Sequence, residues 1–433
     1  MSKTIDINVH HVTRVEGHGN LRIKAKDGTV ELAQWQVPEA PRFFEAMVRG
    51  RSYEDIQTIV ARICGICSVT HSFASVKATE AAFGITLSEQ VEKLRVLTHY
   101  SEQLESHALH VGYLVAPDLL GVKSVVPLVA SHPEAVKTVI RLHRTGNKWM
   151  ELLAGRMTHP VTLKPGGFAR FPTEAELRGL KAQLESIVPD LHALAALIQA
   201  LAGRLPKFER PTEYVALVSD PGTYTFYHGD IGTTDAPPPL SVQKFEEAAN
   251  EYVSPQSTAK WCKWHRESYM CGALGRFNLN AQHLLPLAKR TAKDLGLKQG
   301  CTNPYMNSVA QVVECVQIVE HGLQLIDEVL TAGLKPEKAR AVPRAGTGAG
   351  AVEAPRGILF HRYTYDARGN CVSANCCIPT NQNHANIQKD LEALVPQILD
   401  RTQDEIRLLC EMLVRAYDPC ISCSTHFLNI EFV

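Results

Sequence analysis

The chain has 433 residues, 45% of them hydrophobic and 21% charged, with 45 basic against 45 acidic side chains. Such a composition excludes a disordered or fibrous protein, and zero net charge removes any general attraction to nucleic acid or anionic lipid. No uncharged apolar run reaches the ~18 residues of a membrane span, and the start, MSKTIDINVH, lacks the apolar core of a signal peptide. A cytoplasmic protein without a membrane span is expected.

In chain order, Leu21, Ile23 and Ala25 alternate with charged residues, Asp27-Gly28 supplies a hairpin turn, and Thr29–Val37 returns, so the N-terminal region reads as β. From Ala40 the pattern turns helical. Val91, Leu94, Leu97 and Leu104 recur at helical spacing, with Ser88 placed to cap them. Long helices are expected over Pro133–Thr158, Thr173–Leu205, Asn307–Ala332 and Asn383–Tyr417, and Thr173-Glu-Ala-Glu176 fits a capping box. Val218–Pro239, rich in Gly, Pro, Thr and Asp, reads as a surface insertion. PRAGTGAG, Pro343–Gly350, reads as a structural loop, because no Lys-Ser/Thr follows to make a phosphate cradle. Gly357–Ile378 returns to strand around the turn DARGN. The fold class is mainly α with β edges (α+β). A single domain is expected over 1–426, with an N-terminal β-hairpin region, a helical core and a later β segment.

Twelve cysteines are too sparse for a disulfide scaffold, and a cytosolic chain would keep them reduced. Cys262, Cys271, Cys301, Cys315, Cys371, Cys376, Cys377 and Cys410 read as small buried hydrophobes. The other four are paired: Cys64 and Cys67 in RICGICSVTH, and Cys420 and Cys423 in DPCISCSTH. Spacing alone leaves two readings open. Two Cys-x-x-Cys pairs can make a structural zinc site. Yet zinc pairs usually lie ~15–20 residues apart in small folds, and these sit at opposite ends of a large one, which points to a buried reactive metal.

TRVEGHG, RICGICSVTHSFASVKATEAAFG, ESHALHVGYLVAPDLLG, EAPRGILFHRYTYD, IPTNQN and DPCISCSTH occur in this order from Thr13 to His426. Together they resemble the large, catalytic subunit of a nickel–iron hydrogenase. EAPRFFEA and ESHALHVGYLVAPD resemble most closely the cytoplasmic, NAD(P)-linked sulfhydrogenase-type branch. The resemblance implies reversible heterolytic cleavage of H2. It implies that Cys64 and Cys420 are terminal nickel ligands and that Cys67 and Cys423 bridge nickel to an iron carrying CO and two cyanides. Soft thiolates suit both metals.

Further roles follow from the same resemblance. Glu16 matches a proton relay, with pairing to Arg14 as the rival reading. Arg356 matches an arginine over the open coordination position. Its high pKa makes it an electrostatic and orienting group, with the Cys420 thiolate as first proton acceptor. Arg356, backbone amides near Pro355, and Thr380 match donors to the cyanides. Asp118 and Asp418 match carboxylates near Arg356. His71 matches a histidine bonded to a bridging sulfur. Glu45 and His426 match ligands of a magnesium or iron ion near the C-terminus. His107 and His110, on one helix face, read as packed helix residues.

The chain shows no cysteine set for an iron–sulfur cluster and no strand–GxGxxG–helix fingerprint of its own. The resemblance therefore implies a small subunit with iron–sulfur clusters and flavin/NAD(P)-binding diaphorase subunits. It also implies maturation proteins and a C-terminal endopeptidase that removes 427–433. An H2-sensing regulatory subunit with little turnover would keep the same ligands and is the alternative, with a structural zinc protein behind it.

Overall fold

The computed structural model describes residues 4–219, 222–236 and 238–426. Three antiparallel strands, Thr4–Val9, Asn20–Lys26 and Thr29–Gln36, form the N-terminal sheet. Its hairpin turns at Asp27 and Gly28, both with positive φ (48° and 81°), as a primed turn requires. Trp35 from this sheet is fully buried, and its indole donates to His384 Nδ1 at 3.0 Å.

The centre is helical. The Ser68–Phe83 helix buries nearly every residue, because SVTHSFASVKATEAAF offers small side chains on all faces and no charged stripe. Glu89–Leu109 packs on it and in turn carries Pro133–Ala154 and Asn307–Ala332, while Pro379–Leu394 packs on the N-terminal sheet. Ser88 caps the first of these by accepting from Val91 N–H, and Asn307–Ala332 runs over the expected residues. The Glu89–Leu109 helix passes into a π-helical turn, His110–Val115. Thr173 and Glu176 form the expected capping box.

The remaining expectations are partly corrected. Thr173–Leu205 divides into Glu174–Ser186 and Val188–Leu201 at Ile187, just before Pro189. By length and apolarity alone Glu174–Arg204 could cross a membrane, contrary to the sequence expectation. Its two helices turn Leu177, Leu180, Leu191 and Leu194 into the core, where they pack on Asn307–Ala332. Asn383–Tyr417 is also two helices, Pro379–Leu394 and Gln403–Ala416, parted by a 3-10 turn at Val395–Ile398. Val218–Pro239 is not a surface insertion. Tyr224, Phe226, Tyr227 and Ile231 are buried, and Asp230–Thr233 pairs as a strand with Glu213–Val218.

PRAGTGAG is a loop only as far as Ala345. Gly346–Ala354 is a strand, in a three-stranded antiparallel sheet with Gly357–Tyr365 and Cys371–Cys377. Gly346, Gly348 and Gly350 let it lie against the backbone of the Ser68–Phe83 helix, where a methyl on Gly346 would sit 2.7 Å from the Ala82 carbonyl oxygen. The tail 427–433 lies outside the described residues.

Glycines in tight and open settings should respond oppositely to alanine. A methyl at Gly348 would overlap the backbone of Ala78 and Ala82, so Gly348→Ala should destabilise by about 1–3 kcal/mol. Gly179, inside the Glu174–Ser186 helix with nothing within 4 Å, should gain about 0.5–1 kcal/mol as alanine. Thermal unfolding of the two variants should move in opposite directions.

Candidate metal centre

Each cysteine pair sits where a helix begins. Cys64 follows the 3-10 turn Ala61–Ile63 and Cys67 precedes the Ser68–Phe83 helix, with Cys67 N–H donating to Cys64 Sγ at 3.0 Å. Cys420 opens the short helix Ile421–Ser424, which carries Cys423. The four sulfurs are buried and lie within 4.8 Å of one another. Cys64 to Cys420 is 3.6 Å, Cys67 to Cys423 is 3.9 Å and Cys420 to Cys423 is 2.8 Å.

Four thiolates at such separations repel, so without a cation the sulfurs share protons. Burial raises the Cys64 thiol, but donors from Cys420, Cys423 and Cys67 outweigh burial and bring Cys64 well below the usual thiol range. Cys420, donating towards Cys423, Cys64 and Cys67, is held well above that range. Bound metal cations would take the place of those protons, because thiolate is the form that binds metal.

Glu16 meets the cluster from the N-terminal side. Its Oε2 accepts from Cys420 Sγ and from Ser422 N–H, both at 3.1 Å, while its carbonyl accepts from Ile421 N–H at 3.0 Å. Arg14 does not pair with Glu16; it pairs with Asp118 at 2.5 Å.

Arg356 stands at the turn between Gly346–Ala354 and Gly357–Tyr365 and is 4% exposed. Its Nε donates to the Asp418 carbonyl at 2.6 Å and its Nη2 to Asp418 Oδ1 at 3.0 Å. Burial works against its charge, but Asp418 and the sulfurs of Cys420, Cys67 and Cys64 outweigh burial, so the guanidinium holds its proton harder than usual. Its Nη1 is buried with no hydrogen-bond partner among the described residues. Thr380 Oγ1 accepts from Cys420 N–H at 3.0 Å, and the Pro355 carbonyl accepts from Arg276 at 3.0 Å.

Two expectations change in detail. Asp118 is not a partner of Arg356; its carboxylate takes Arg14 and Arg415 instead. His71 makes no hydrogen bond to a sulfur among the described residues. Its Nδ1 lies 3.1 Å from His361 Nε2, and its Nε2 is buried without a partner. Burial lowers His71 to about 4, so the ring is neutral at pH 7. His107 and His110 are packed helix residues, paired with Glu314 at 2.8 Å and with Gln311 and the Arg415 carbonyl at 2.5 and 2.7 Å. Glu45 Oε1 lies 2.6 Å from His426 Nδ1, while Glu45 Oε2 and His426 Nε2 have no hydrogen-bond partner among the described residues.

Sequence reasoning missed several residues that position the site. Glu102 is fully buried and accepts from Val69 and Thr70 N–H at 2.6 and 3.0 Å, capping from another helix the one that Cys67 opens. Burial pushes Glu102 up to about 8, against the donors from Thr70 and Val69. Arg42 Nη2 donates to the carbonyls of both Ile63 and Ser422, at 2.6 and 2.5 Å. Glu102 lies outside every motif, and Arg42 lies within EAPRFFEA, which signals the branch but not the bridging role of this side chain.

A family model described as nickel-dependent hydrogenase matches residues 42–140, and one described as HoxL-like matches residues 6–40. The chain is 33% identical to sulfhydrogenase 2 subunit alpha of Pyrococcus furiosus, over 98% of this chain and 100% of that one. It is 28% identical to the NAD-reducing hydrogenase HoxS subunit beta of Cupriavidus necator, over 96% and 94%. A solved NAD+-reducing nickel–iron hydrogenase in the H2-reduced state matches with a TM-score of 0.88 at 28% identity, covering 97% of this chain and 99% of that one. The chain belongs to the nickel-dependent hydrogenase family, as a large subunit. It is an oxidoreductase, and the reaction is H2 cleavage.

The site fits a nickel–iron pair on its own chemistry: four soft donors in one buried cluster, with an unpaired guanidinium N–H within the same core. Changing any one of Cys64, Cys67, Cys420 or Cys423 to serine replaces a soft thiolate by a hard, weakly acidic hydroxyl. Each variant should lose nickel and H2 turnover to background, read by metal analysis and by dye reduction under H2.

Proposed function

We propose that this chain is the catalytic subunit of a cytoplasmic, multi-subunit hydrogenase that splits H2 heterolytically and reversibly, passing electrons through an iron–sulfur small subunit to NAD(P). The observation that carries the proposal is the contact of Glu16 with Cys420 at the edge of the four-sulfur cluster. The names of the relatives from Pyrococcus furiosus and Cupriavidus necator support the multi-subunit and NAD-linked parts.

Cys64 and Cys420 would serve as ligands of nickel, and Cys67 and Cys423 as ligands of both nickel and iron. When bound, the two metals supply the Lewis acidity that polarises H2. The chain's own part is to take and carry the proton. Cys420 Sγ receives it, and Glu16 Oε2, 3.1 Å away, accepts it for export. Arg356 keeps its own proton and stabilises negative charge electrostatically. Its free Nη1, the Thr380 hydroxyl and backbone N–H groups near Pro355 would serve as donors to the iron's cyanides, which with CO would be supplied by maturation proteins. Asp418 fixes Arg356, and His71 lends a neutral imidazole to the sulfur environment. Glu45 and His426, a hard carboxylate beside an imidazole, suit magnesium or iron.

Glu16→Gln keeps the size and hydrogen bonding of the side chain but loses the titratable proton. Nickel content should be unchanged, while H2/D2 exchange slows by about 100- to 10,000-fold. Fast exchange in a nickel-replete variant would sink the relay.

Glu45 and His426, as ligands of one buried ion, would place the mature end of the subunit in the core. Residues 427–433 would then be removed by an endopeptidase once nickel is in place. The intact mass of active, nickel-loaded subunit should end at His426; a mass that includes Phe427 to Val433 would refute removal.

A further inference from the structure

The fold brings together two further cysteines that lie far apart in sequence. Cys262 is on the strand Trp261–Lys263, and Cys377 ends the strand Cys371–Cys377. Both are fully buried free thiols, with their sulfurs 3.9 Å apart. Glu251, on the strand Asn250–Tyr252, faces Cys262 directly across an antiparallel pair. One carboxylate oxygen and the two sulfurs all lie within 4.8 Å of one another.

The sulfur separation is informative. A disulfide needs about 2.05 Å, so the pair is not one. Two thiolates on a tetrahedral cation with bonds of about 2.3 Å stand roughly 3.8 Å apart, close to the spacing here. The carboxylate is also divided in its partners. Glu251 Oε2 pairs with Lys260 Nζ, while Oε1 is buried and has no hydrogen-bond partner among the described residues. A buried carboxylate oxygen without a donor is costly unless a cation takes it. Burial raises both thiols, so they are neutral until a metal displaces their protons.

We propose that Cys262, Cys377 and Glu251 form a second metal site, for a divalent cation of zinc's class, sharing no ligand with the four-cysteine centre. The charges balance. The cation binds two sulfurs and releases their two protons to solvent. With one carboxylate this leaves a single negative charge, which the Lys260 ammonium offsets. Three protein ligands leave a fourth position for water, reached past the partly exposed Glu251. The site ties the Asn250–Lys263 hairpin to the sheet whose last strand leads, three residues on, to Thr380 and so to the Cys420 backbone. It is a structural clamp behind the catalytic centre.

The test uses the assembled, nickel-loaded enzyme, incubated with Zn2+ and desalted. The expected result is about one zinc per large subunit that depends on Cys262 and Cys377, with a zinc-edge X-ray absorption spectrum showing two sulfur neighbours at about 2.3 Å and oxygen beside them. Cys262→Ala/Cys377→Ala should remove that zinc and leave the nickel content unchanged. Glu251→Gln should weaken zinc retention without removing either sulfur. Zinc absent from the wild-type enzyme, zinc retained in the double variant, or a spectrum with four sulfurs would each overturn the proposal. If the double variant does not assemble, the wild-type spectrum alone decides between these outcomes.

Discussion

One guanidinium holds the two halves of the catalytic centre together. The cysteine pairs enter from opposite ends of the chain, with 356 positions between Cys64 and Cys420, and nothing local fixes one against the other. Arg42 bonds the carbonyl before Cys64 and the carbonyl before Cys423 with a single nitrogen. Its own backbone N–H donates to the Thr425 carbonyl at 2.9 Å. Carbonyls are strong acceptors that must be paired when buried, so the bridge satisfies two turns at once. Glu16 adds the third side of the frame, by main chain to Ile421 and by side chain to Ser422. The sulfurs are therefore spaced by backbone geometry, and metal binding meets a site already gathered.

The Arg356 turn is set by a second buried cation. Arg276 is fully buried and pairs with Glu314 through two bonds, at 2.6 and 2.7 Å, and with Glu353 at 3.0 Å. Its remaining donors go to the carbonyls of Ala354 and Pro355, at 2.9 and 3.0 Å. Each N–H used on a carbonyl fixes one peptide of the turn. Gln103 fixes the peptide before them, donating to the Glu353 carbonyl at 2.6 Å. Burial raises Glu353 to about 7 against the pull of Arg276, whereas Glu314 is drawn down to about 2 by Arg276 and His107 despite burial. Glu314 is thus the settled counter-charge, and Glu353 serves chiefly as an acceptor that aligns the strand. Removing either partner would strand a buried charge, which is why such networks give geometry more reliably than stability.

Local chemistry was legible in the sequence, and long-range chemistry was legible only through motif. The Asp27-Gly28 hairpin, the Ser88 cap and the Thr173–Glu176 box are decided within a few residues, and each is present. Asn383–Tyr417 has the periodicity of one helix, but Pro396 and a second capping box, Thr402 to Glu405, mark the break. Val218–Pro239 and PRAGTGAG misled for a shared reason. Glycine and proline read as loop signals, whereas Gly346, Gly348 and Gly350 admit a helix backbone against a strand, and Gly229 and Gly232 lie close against Val218. The four clustered cysteines are readable because each pair is local. Cys262, Cys377 and Glu251 were not, since each comes from a different strand and none has a motif. The roles of Arg42 and Glu102 are not legible either, because each is to bond backbone in another segment, although Arg42 itself lies in EAPRFFEA.

The placing of Asp118 follows from what Arg356 has to leave free. Asp118 takes Arg14 and Arg415 together, and those arginines also bond the Leu114 and Thr13 carbonyls, at 2.6 and 3.1 Å. One carboxylate so joins the N-terminal segment, the end of the π-helical turn and the Gln403–Ala416 helix. Glu16 lies two residues beyond Arg14, and Asp418 three beyond Arg415, so both inherit their positions from this junction. A second carboxylate on Arg356 would have occupied Nη1 and added negative charge beside four sulfurs. With Asp418 as its one carboxylate partner among the described residues, held by a left-handed turn (φ 50°) and by Gln311 at 3.1 Å, the guanidinium is oriented through Nε and Nη2 while Nη1 stays available. Orientation and availability are separate demands on one planar group, and the fold meets them by sending the second acid to different arginines.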